Sequence, residues 1–515
     1  MRVTSAPARF ALALTAGLVQ AASIATPWGG QPSWWLQVLS LAGLAWLVQA
    51  PASWRGAAAL GWTFATAWLC GTFWWLFISM HTYGGLPAVL AALAVFALAL
   101  FLASYYALAC GLLAALAPAG WRLGALLFAG LWSAAELMRA TLFTGFPWGA
   151  GGYAHVDGPL SVLAPVVGVH GIGLCAALLA YALSLLAHAE LRRSAAYWIT
   201  LAGAAALLAA CHAIAPSDAA ATPGPKISVA LLQGNIPQDE KFETGSGVPL
   251  ALEWYGRQLQ ANTAALVVAP ETSIPMLPTQ LPQGYFEALF KRFAQGNQAA
   301  LVGIPLGGHR EGYTNSAMGF KPGAAPYRFD KHHLVPFGEF IPPLFKWFVR
   351  LMNIPLGDFN RGPLGQPTFD WQGQRLAPNI CYEDLFGEEL GLQFTDASRA
   401  PTVFVNLSNI AWFGDSVAID QHLQISRMRA IEFERPVIRA TNTGATAIID
   451  RSGRVVGELP RLTRGVLRGE VEGGGRITPY AWWVSRAGLW PLWLLSALIA
   501  GFALWQRRVR TPAST

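Results

Sequence analysis

Three reactive side chains stand at or just beyond apolar, β-branched segments in the second half of this 515-residue chain. Glu271 ends "LVVAPE", Lys331 follows "YRFD", and Cys381 follows "LAPNI". A carboxylate can take the thiol proton as a general base, and an ammonium stabilises both the thiolate and a later tetrahedral oxyanion. If the fold brings the three groups together, they predict nucleophilic catalysis through a covalent cysteine intermediate.

Alternating strand-like and helix-like patterns surround these residues. We predict strands at 227–234, 265–272, 299–305, 375–383, 401–409 and 445–450, and helices near 248–262, 283–295 and 418–434. This alternation is typical of an α/β or layered α+β sandwich. Side chains at the ends of such strands can converge while the sheets hold them rigidly.

The composition separates a membrane part from a part of ordinary soluble composition. The chain is 54% hydrophobic and 12% charged, whereas soluble globular proteins carry about 25% charged residues. Apolar runs long enough to cross a bilayer predict eight spans, at about 10–26, 34–50, 57–79, 86–116, 123–143, 161–187, 196–214 and 488–506. The predicted domains are a seven-span membrane domain at 1–215, a catalytic domain at 226–476 and a final span at 488–506.

Arginines are distributed unevenly between the segments that flank these spans. One alternating set has Arg2, Arg9, Arg55, Arg122, Arg192, Arg193, Arg507, Arg508 and Arg510, and the other has no Lys or Arg. The positive-inside rule therefore places both termini in the cytoplasm. The large domain follows an odd number of spans, so we expect it in the periplasm of a Gram-negative cell. The net charge of +7 thus reflects membrane orientation, and we expect no nucleic-acid partner.

Cysteine usage singles out Cys381. Four of the five cysteines fall within predicted spans: Cys70, Cys110, Cys175 and Cys211. A free thiol there behaves as a small hydrophobic group. Cys381 is alone in a domain that we expect in an oxidising compartment, so it is either an inert buried thiol or a reactive one. The nearby acid and base candidates favour the reactive thiol.

Longer motifs around these residues resemble a known superfamily. "APETSIP", "DKHHLVPFGEF" and "NICYED" are similar to the three signature segments of the nitrilase, or carbon–nitrogen hydrolase, superfamily. With the membrane spans, "TGFPWG", "LLQGNIPQ", "SNIAWFG" and "TPYAWW" extend the resemblance along the chain to the apolipoprotein N-acyltransferase family. The resemblance implies a polytopic α-helical membrane domain with an inserted α/β, nitrilase-like α-β-β-α sandwich.

The resemblance also implies roles for individual residues. Cys381 is the expected nucleophile, Glu271 the general base, and Lys331 the group that stabilises the thiolate and the oxyanion. The residues that support the catalytic groups in the family correspond here to Glu339, Tyr382 and Glu383. Candidate substrate-binding positions are Trp148, Phe242, Asn315, Trp347, Trp412 and Phe413.

Some positions leave alternatives open. Phe242 stands where the family pattern has Trp, and Ile410 stands where Asp is frequent. An aromatic contact survives at the first position without the indole N–H, and no carboxylate is available at the second. For Glu383, a structural hydrogen bond and a functional role are both open. The apolar segment 340–362, which contains Trp347, predicts an amphipathic helix that either dips into the outer leaflet or belongs to the core.

The implied activity is acyl transfer at the bacterial inner membrane. A phospholipid would acylate Cys381, and the N-terminal amine of a diacylglyceryl-cysteine apolipoprotein would then take the acyl chain. No cofactor is implied, and the adjacent His332 and His333 do not predict a metal site. Two alternatives stay open: a membrane-tethered nitrilase-type amidase that uses water, and a transporter with an external binding domain. We expect a monomer.

Overall fold

The computed structural model describes residues 5–50, 53–118, 120–214, 224–341 and 359–510. These residues form two compact units. The first unit comprises Met1–Trp74, Val89–Ala220 and Ala487–Thr515, and the second comprises Trp75–Ala88 and Ala221–Arg486.

Helices make up the first unit. They span Ala6–Ala21, Trp34–Val48, Trp54–Phe73, Ala88–Leu116, Trp121–Thr141, Ala164–Ser184, Ala195–Ile214 and Trp490–Arg510. Among the described residues, four helical stretches are long and apolar enough to cross a membrane: Ala88–Leu116, Trp121–Thr144, Pro159–Ala187 and Ala195–Ile214. Two bent helix pairs, Trp54–Phe73 with Leu76–Tyr83 and Pro479–Ala487 with Trp490–Val509, bring the number to six if each pair is one span.

The four to six spans found by length and composition are fewer than the eight that the sequence predicts. The helices Ala6–Ala21 and Trp34–Val48 account for the difference, because their 16 and 15 residues are short of the ~20 that usually cross a bilayer. The predicted span 57–79 is broken after Phe73 by a bend of 59°. The count of eight therefore stays a prediction.

A buried arginine of the first unit forms hydrogen bonds between its own helix and a neighbouring loop. Arg139 donates hydrogen bonds to the carbonyl oxygens of Phe146 and Trp148 at 2.8 and 2.6 Å and to the Tyr106 hydroxyl at 2.9 Å. These donors satisfy two backbone carbonyl groups inside the unit. The loop that carries the "TGFPWG" motif is thereby fixed to the helix Trp121–Thr141.

Two six-stranded sheets form the second unit. The strands are β1 (Lys226–Gln233), β2 (Leu266–Ala269), β3 (Ala299–Gly308), β4 (Gly312–Phe320), β5 (Tyr327–Asp330), β6 (Phe369–Trp371), β7 (Gln374–Ile380), β8 (Val403–Ser408), β9 (Val437–Thr441), β10 (Ala447–Ile449), β11 (Val455–Glu458) and β12 (Gly465–Glu472). The first sheet has the order β12-β1-β2-β3-β4-β5, and the second has the order β11-β10-β9-β8-β7-β6. The segments β1-β2-β3 and β7-β8-β9 are parallel.

The sheets pack face to face, and helices cover their outer faces. Leu231 of β1 belongs to the core between the sheets, whereas its neighbour Leu232 packs with the helices Gly247–Ala261 and Tyr285–Ala294. This alternation follows the two-residue period of a strand whose two faces are both buried. The helix Ala418–Phe433 packs against β9 of the second sheet. The predicted α-β-β-α sandwich is therefore confirmed.

Candidate active site

Lys331 lies between two carboxylates. Its Nζ is 3.2 Å from Oε1 of Glu271 and 2.9 Å from Oε1 of Glu339. The residue follows β5 directly, and its backbone N–H donates to the Asn315 carbonyl at 2.8 Å. Burial alone would lower the pKa of Lys331, but the charges of Glu271 and Glu339 outweigh burial and raise that pKa. The side chain is therefore an ammonium at neutral pH.

Asn315 and two backbone N–H groups hold these carboxylates. The Asn315 Nδ2 donates to Oε1 of both Glu271 and Glu339 at 2.7 Å. The second oxygen of Glu271 accepts the Asn409 N–H at 2.8 Å, and the second oxygen of Glu339 accepts the Val335 N–H at 2.8 Å. Asn315, a candidate substrate contact from sequence, thus contacts the carboxylates and fixes their orientation.

Cys381 stands at a strained turn directly after β7. Its φ of +52° lies in the left-handed region, which costs roughly 1–2 kcal/mol for a residue with a Cβ. Part of its surface is accessible, yet burial of the thiol raises the pKa of Cys381 to about 12, and the Glu271 charge adds to this effect. Lys331 lowers the same pKa by less than these effects raise it. The thiol is therefore protonated at neutral pH and needs a general base.

A buried polar network supports the carbonyl group of Cys381. Nε2 of His422 lies 3.2 Å from this oxygen, and Nδ1 of His422 lies 3.0 Å from Nη2 of Arg439. Because the guanidinium only donates, Nδ1 accepts and Nε2 carries the proton that goes to the Cys381 carbonyl. Burial and Arg439 hold the pKa of His422 well below its usual range, so the ring is neutral. Arg439 also pairs with Asp384 at 3.4 Å.

Glu383 connects the turn at the thiol with the segment after Lys331. Its Oε1 accepts the backbone N–H groups of His332 and His333 at 2.7 and 3.2 Å, and its Oε2 accepts the Ile380 N–H at 2.7 Å. Burial raises the pKa of Glu383 to about 8, while these donors lower it. Of the two roles that the sequence leaves open, these contacts support the structural one.

Replacing Glu383 tests this structural role. Glu383→Gln puts an amide NH₂ where an oxygen accepts a backbone N–H, so a buried donor loses its partner at a cost of about 1–3 kcal/mol. We expect a lower apparent melting temperature in detergent together with slower turnover. The exposed Glu287 provides the control, since Glu287→Gln should change neither quantity. An unchanged melting temperature with lost activity would instead assign Glu383 a direct chemical role.

Aromatic residues after β8 pack on a segment from an earlier part of the chain. The Phe413 ring centroid lies 4.2 Å from that of Trp75, and the Trp412 centroid lies 6.0 Å from that of Tyr83. Nε1 of Trp75 also donates to Gln421 at 3.0 Å. The segment 75–88 therefore belongs to the packing of the second unit, next to two of the candidate substrate-binding residues.

The structure places the other candidates differently. Phe242 is 41% exposed. Trp148 lies in the first unit and is 3% exposed. Tyr382 is buried, with its ring centroid 5.6 Å from that of His333. Trp347 and most of the predicted amphipathic segment lie outside the described residues.

The described part of the chain contains no group of three or more His, Cys, Asp or Glu placed to hold a metal ion. Nδ1 of His332 is 2.6 Å from the Gly362 carbonyl, and Nδ1 of His333 is 2.8 Å from Oε1 of Glu389. These two neighbouring rings therefore have separate partners.

Comparison with known proteins was made over the whole chain. Residues 16–182 match the model of the apolipoprotein N-acyltransferase N-terminal domain, and residues 228–475 match the carbon–nitrogen hydrolase model. An apolipoprotein N-acyltransferase from Verminephrobacter eiseniae is 63% identical over 93% of this chain and 92% of its own length. The chain belongs to the apolipoprotein N-acyltransferase family.

Other members of the apolipoprotein N-acyltransferase family are also similar over nearly their full lengths. The protein from Ralstonia nicotianae is 46% identical, with 92% of this chain and 90% of the relative covered. The protein from Bordetella bronchiseptica is 41% identical, with 93% and 94% covered. As a member of the N-acyltransferase family, this chain is an acyltransferase and a membrane protein. The alternative hypothesis of a transporter is therefore rejected. Glu271, Lys331 and Cys381 all lie within the hydrolase match.

Proposed function

We propose that this enzyme moves an acyl chain from a phospholipid, through a thioester on Cys381, to the N-terminal amine of diacylglyceryl-cysteine in apolipoproteins. The product is a mature, triacylated lipoprotein. The observation that carries the proposal is the buried Glu271–Lys331 contact of 3.2 Å, whose charges both act on the Cys381 thiol. The Glu271–Lys331 pair supplies a base and a cation to a thiol that is protonated before the reaction. The chain that carries this pair is a member of the N-acyltransferase family.

The first half-reaction acylates the thiol. Glu271 takes the proton from Sγ of Cys381 while Sγ attacks the ester carbonyl carbon of the phospholipid. The carbonyl electron pair moves to oxygen, where the Lys331 ammonium and the Tyr382 backbone N–H stabilise the negative charge. Collapse breaks the ester C–O bond. The leaving glycerol oxygen takes the proton back from Glu271, which yields the thioester and a lysophospholipid.

The second half-reaction releases the acyl chain to nitrogen. An α-amine has a pKa of about 7.7–8.0, so a substantial neutral fraction is available near neutral pH. Its lone pair attacks the thioester carbonyl carbon, and Glu271 takes a proton from the nitrogen. The C–S bond then breaks, and the proton passes from Glu271 to the departing Sγ. An amide and the free thiol result, so neither ATP nor a metal ion is required.

Apolar side chains would keep water from the thioester while it waits for its second substrate. We assign acyl-chain contacts to Phe242, Trp412 and Phe413, and extend the proposal to Trp148 and Trp347. Glu339 would orient Lys331, which it contacts at 2.9 Å. Both substrates are lipids anchored in one leaflet, and this is a physical reason for holding the catalytic residues on a membrane protein.

Trapping the intermediate distinguishes transfer from hydrolysis. Without an acceptor, purified protein should become heavier by one acyl chain on Cys381, and hydroxylamine should remove it. A diacylated lipopeptide with a free N-terminal amine should discharge the chain into an amide, whereas the same lipopeptide with an acetylated amine should leave the thioester intact. Little stored thioester, with steady release of fatty acid whether or not an acceptor is present, would favour the amidase alternative. Intact-protein mass spectrometry measures both patterns.

We further propose an eight-span, monomeric enzyme of the inner membrane, with its domains at 1–215, 226–476 and 488–506. Both termini would lie in the cytoplasm and the catalytic domain in the periplasm, because the arginines follow the positive-inside pattern. A reporter enzyme fused after Thr222 should be active only if it is a type that works in the periplasm. Activity of a cytoplasm-specific reporter at that position would reverse the orientation.

A further inference from the structure

A second lysine lies against the catalytic carboxylate residue. Lys241 is in the loop after β1, and its side chain is buried at 1% exposure. Its Nζ donates a hydrogen bond to the backbone carbonyl of Glu271 at 3.2 Å. The Phe242 ring centroid lies 5.9 Å from the same nitrogen. Lys241 is not among the candidate residues from sequence, and nothing in the proposed half-reactions uses it.

The charges around Lys241 belong to the reacting groups. Burial lowers the pKa of Lys241 to about 7, and the negative charges of Glu271 and Cys381 oppose that shift. Glu271 lies two residues beyond β2, and Cys381 directly follows β7, so the charges that act on Lys241 come from the ends of one strand in each sheet. Electrostatic interaction is mutual, so a positive Lys241 also favours the ionised form of the thiol.

Lys331 does not make Lys241 redundant. Lys331 contacts the carboxylate oxygens of Glu271 and Glu339, whereas Lys241 contacts the backbone carbonyl of Glu271. Two carboxylates and an ionising thiol together carry more negative charge than one ammonium neutralises. A second buried cation offsets the remaining charge in a site where water is largely excluded.

We propose that Lys241 is a second lysine of the active site and acts as a positioning residue: it fixes the Glu271 backbone, and its positive charge favours the Cys381 thiolate. The inference rests on the proposed function, because it assigns the nucleophile's role to Cys381. It predicts that Lys241 stabilises the Cys381 thiolate while the lysine amine is protonated, and that this stabilisation disappears as the pH rises above neutrality. A purely structural lysine would not produce such a pH dependence.

The test uses full-length protein in detergent and needs no lipid substrate. The rate at which iodoacetamide alkylates Cys381, followed by mass spectrometry of the peptide that contains it, reports the thiolate fraction. Three variants separate the contributions. Lys241→Arg keeps the charge and the donor, Lys241→Gln keeps a donor without charge, and Lys241→Met removes both. The exposed Lys291 supplies the matched control, Lys291→Gln.

At pH 6 we expect alkylation of Cys381 in the Gln and Met variants to be about tenfold slower than in the unaltered protein, as for the loss of one pKa unit of stabilisation. At pH 9, where Lys241 is neutral, the rates should converge. Lys241→Arg and Lys291→Gln should remain near the unaltered rate at pH 6. Equal rates at pH 6, or a deficit of the same size at both pH values, would overturn the proposal.

If Lys241→Met does not fold, the Gln and Arg variants still decide the question. The readout is also separate from acyl transfer. If the Lys241 variants and the unaltered protein showed no pH-dependent difference in the alkylation rate of Cys381, the role of Lys241 would be rejected while the thioester route stayed intact. Conversely, failure to trap an acyl-enzyme would reject the proposed transfer without changing the measured reactivity of the thiol.

Discussion

Cys381→Ala is expected to reduce acyl transfer to the uncatalysed background. The methyl group has no lone pair with which to attack an ester, and Cys381 supplies the thiol on which the charges of Glu271 and Lys331 act. The variant should show no increase in mass after incubation with phospholipid. It should also form no amide when a diacylated lipopeptide with a free amine is added, as measured by mass spectrometry of both protein and peptide.

A matched cysteine in the first unit provides the control. Cys211 is a free thiol on the helix Ala195–Ile214, and Cys211→Ala should leave the rate and the acyl-enzyme mass unchanged. Cys381→Ala removes only the Sγ–H group at a partly accessible position, so this variant should keep a near-normal melting temperature. A hydroxylamine-sensitive acyl adduct on folded Cys381→Ala would assign the nucleophile to another residue.

Lys331→Met is expected to slow acylation by at least about 10²-fold, the loss typical of removing one oxyanion-stabilising group. The methionine side chain has a similar length, but Glu271 and Glu339 would lose the ammonium that lies 3.2 and 2.9 Å from them. Lys331 also lowers the pKa of Cys381, so that pKa should rise further in the variant. The acylation rate should therefore stay below that of the unaltered enzyme at every pH from about 6 to 9, because the thiol is mostly protonated over this range in both proteins. Single-turnover acylation between pH 6 and 9 measures this difference.

An exposed lysine separates this effect from a general change in charge. Lys226 forms a 3.9 Å ion pair with Glu472 and is 61% exposed, and such surface pairs contribute little to stability. Lys226→Met should therefore acylate at the unaltered rate. If folded Lys331→Met kept a rate within a few-fold of the unaltered enzyme over the whole pH range, Lys331 would have no part in stabilising the oxyanion.

The sequence predicts the elements that carry a clear hydrophobic period. The helices predicted near 248–262 and 418–434 correspond to Gly247–Ala261 and Ala418–Phe433. Strand β9 is not predicted because one of its two buried faces carries the polar residues Arg439 and Thr441, and only the face of Ile438 and Ala440 is apolar. Arg439 is wholly buried within it and pairs with Asp384 and His422. A period of apolar residues cannot reveal a strand whose interior side chains are satisfied by distant partners.

Much of the environment of the site has no local sequence signal. Asn409 contributes its backbone N–H to Glu271, and any residue other than proline has that donor. Lys241 contacts a backbone oxygen 30 positions away, so nothing near it in the chain indicates its partner. The sequence also suggests that Lys331 makes Cys381 acidic, whereas burial and Glu271 outweigh that effect and keep the thiol protonated.

The position of the segment Trp75–Ala88 has a consequence for how such a protein can be divided or recombined. This segment belongs to the second unit, although about 130 residues of the first unit follow it in the chain. A fragment starting at Gly224 would lack Trp75 and Tyr83, and would uncover the aromatic turn that carries Phe413. Newly exposed apolar surface of this kind promotes aggregation. The catalytic unit is therefore not a contiguous cassette, and a chimaera between relatives must exchange both pieces of sequence together.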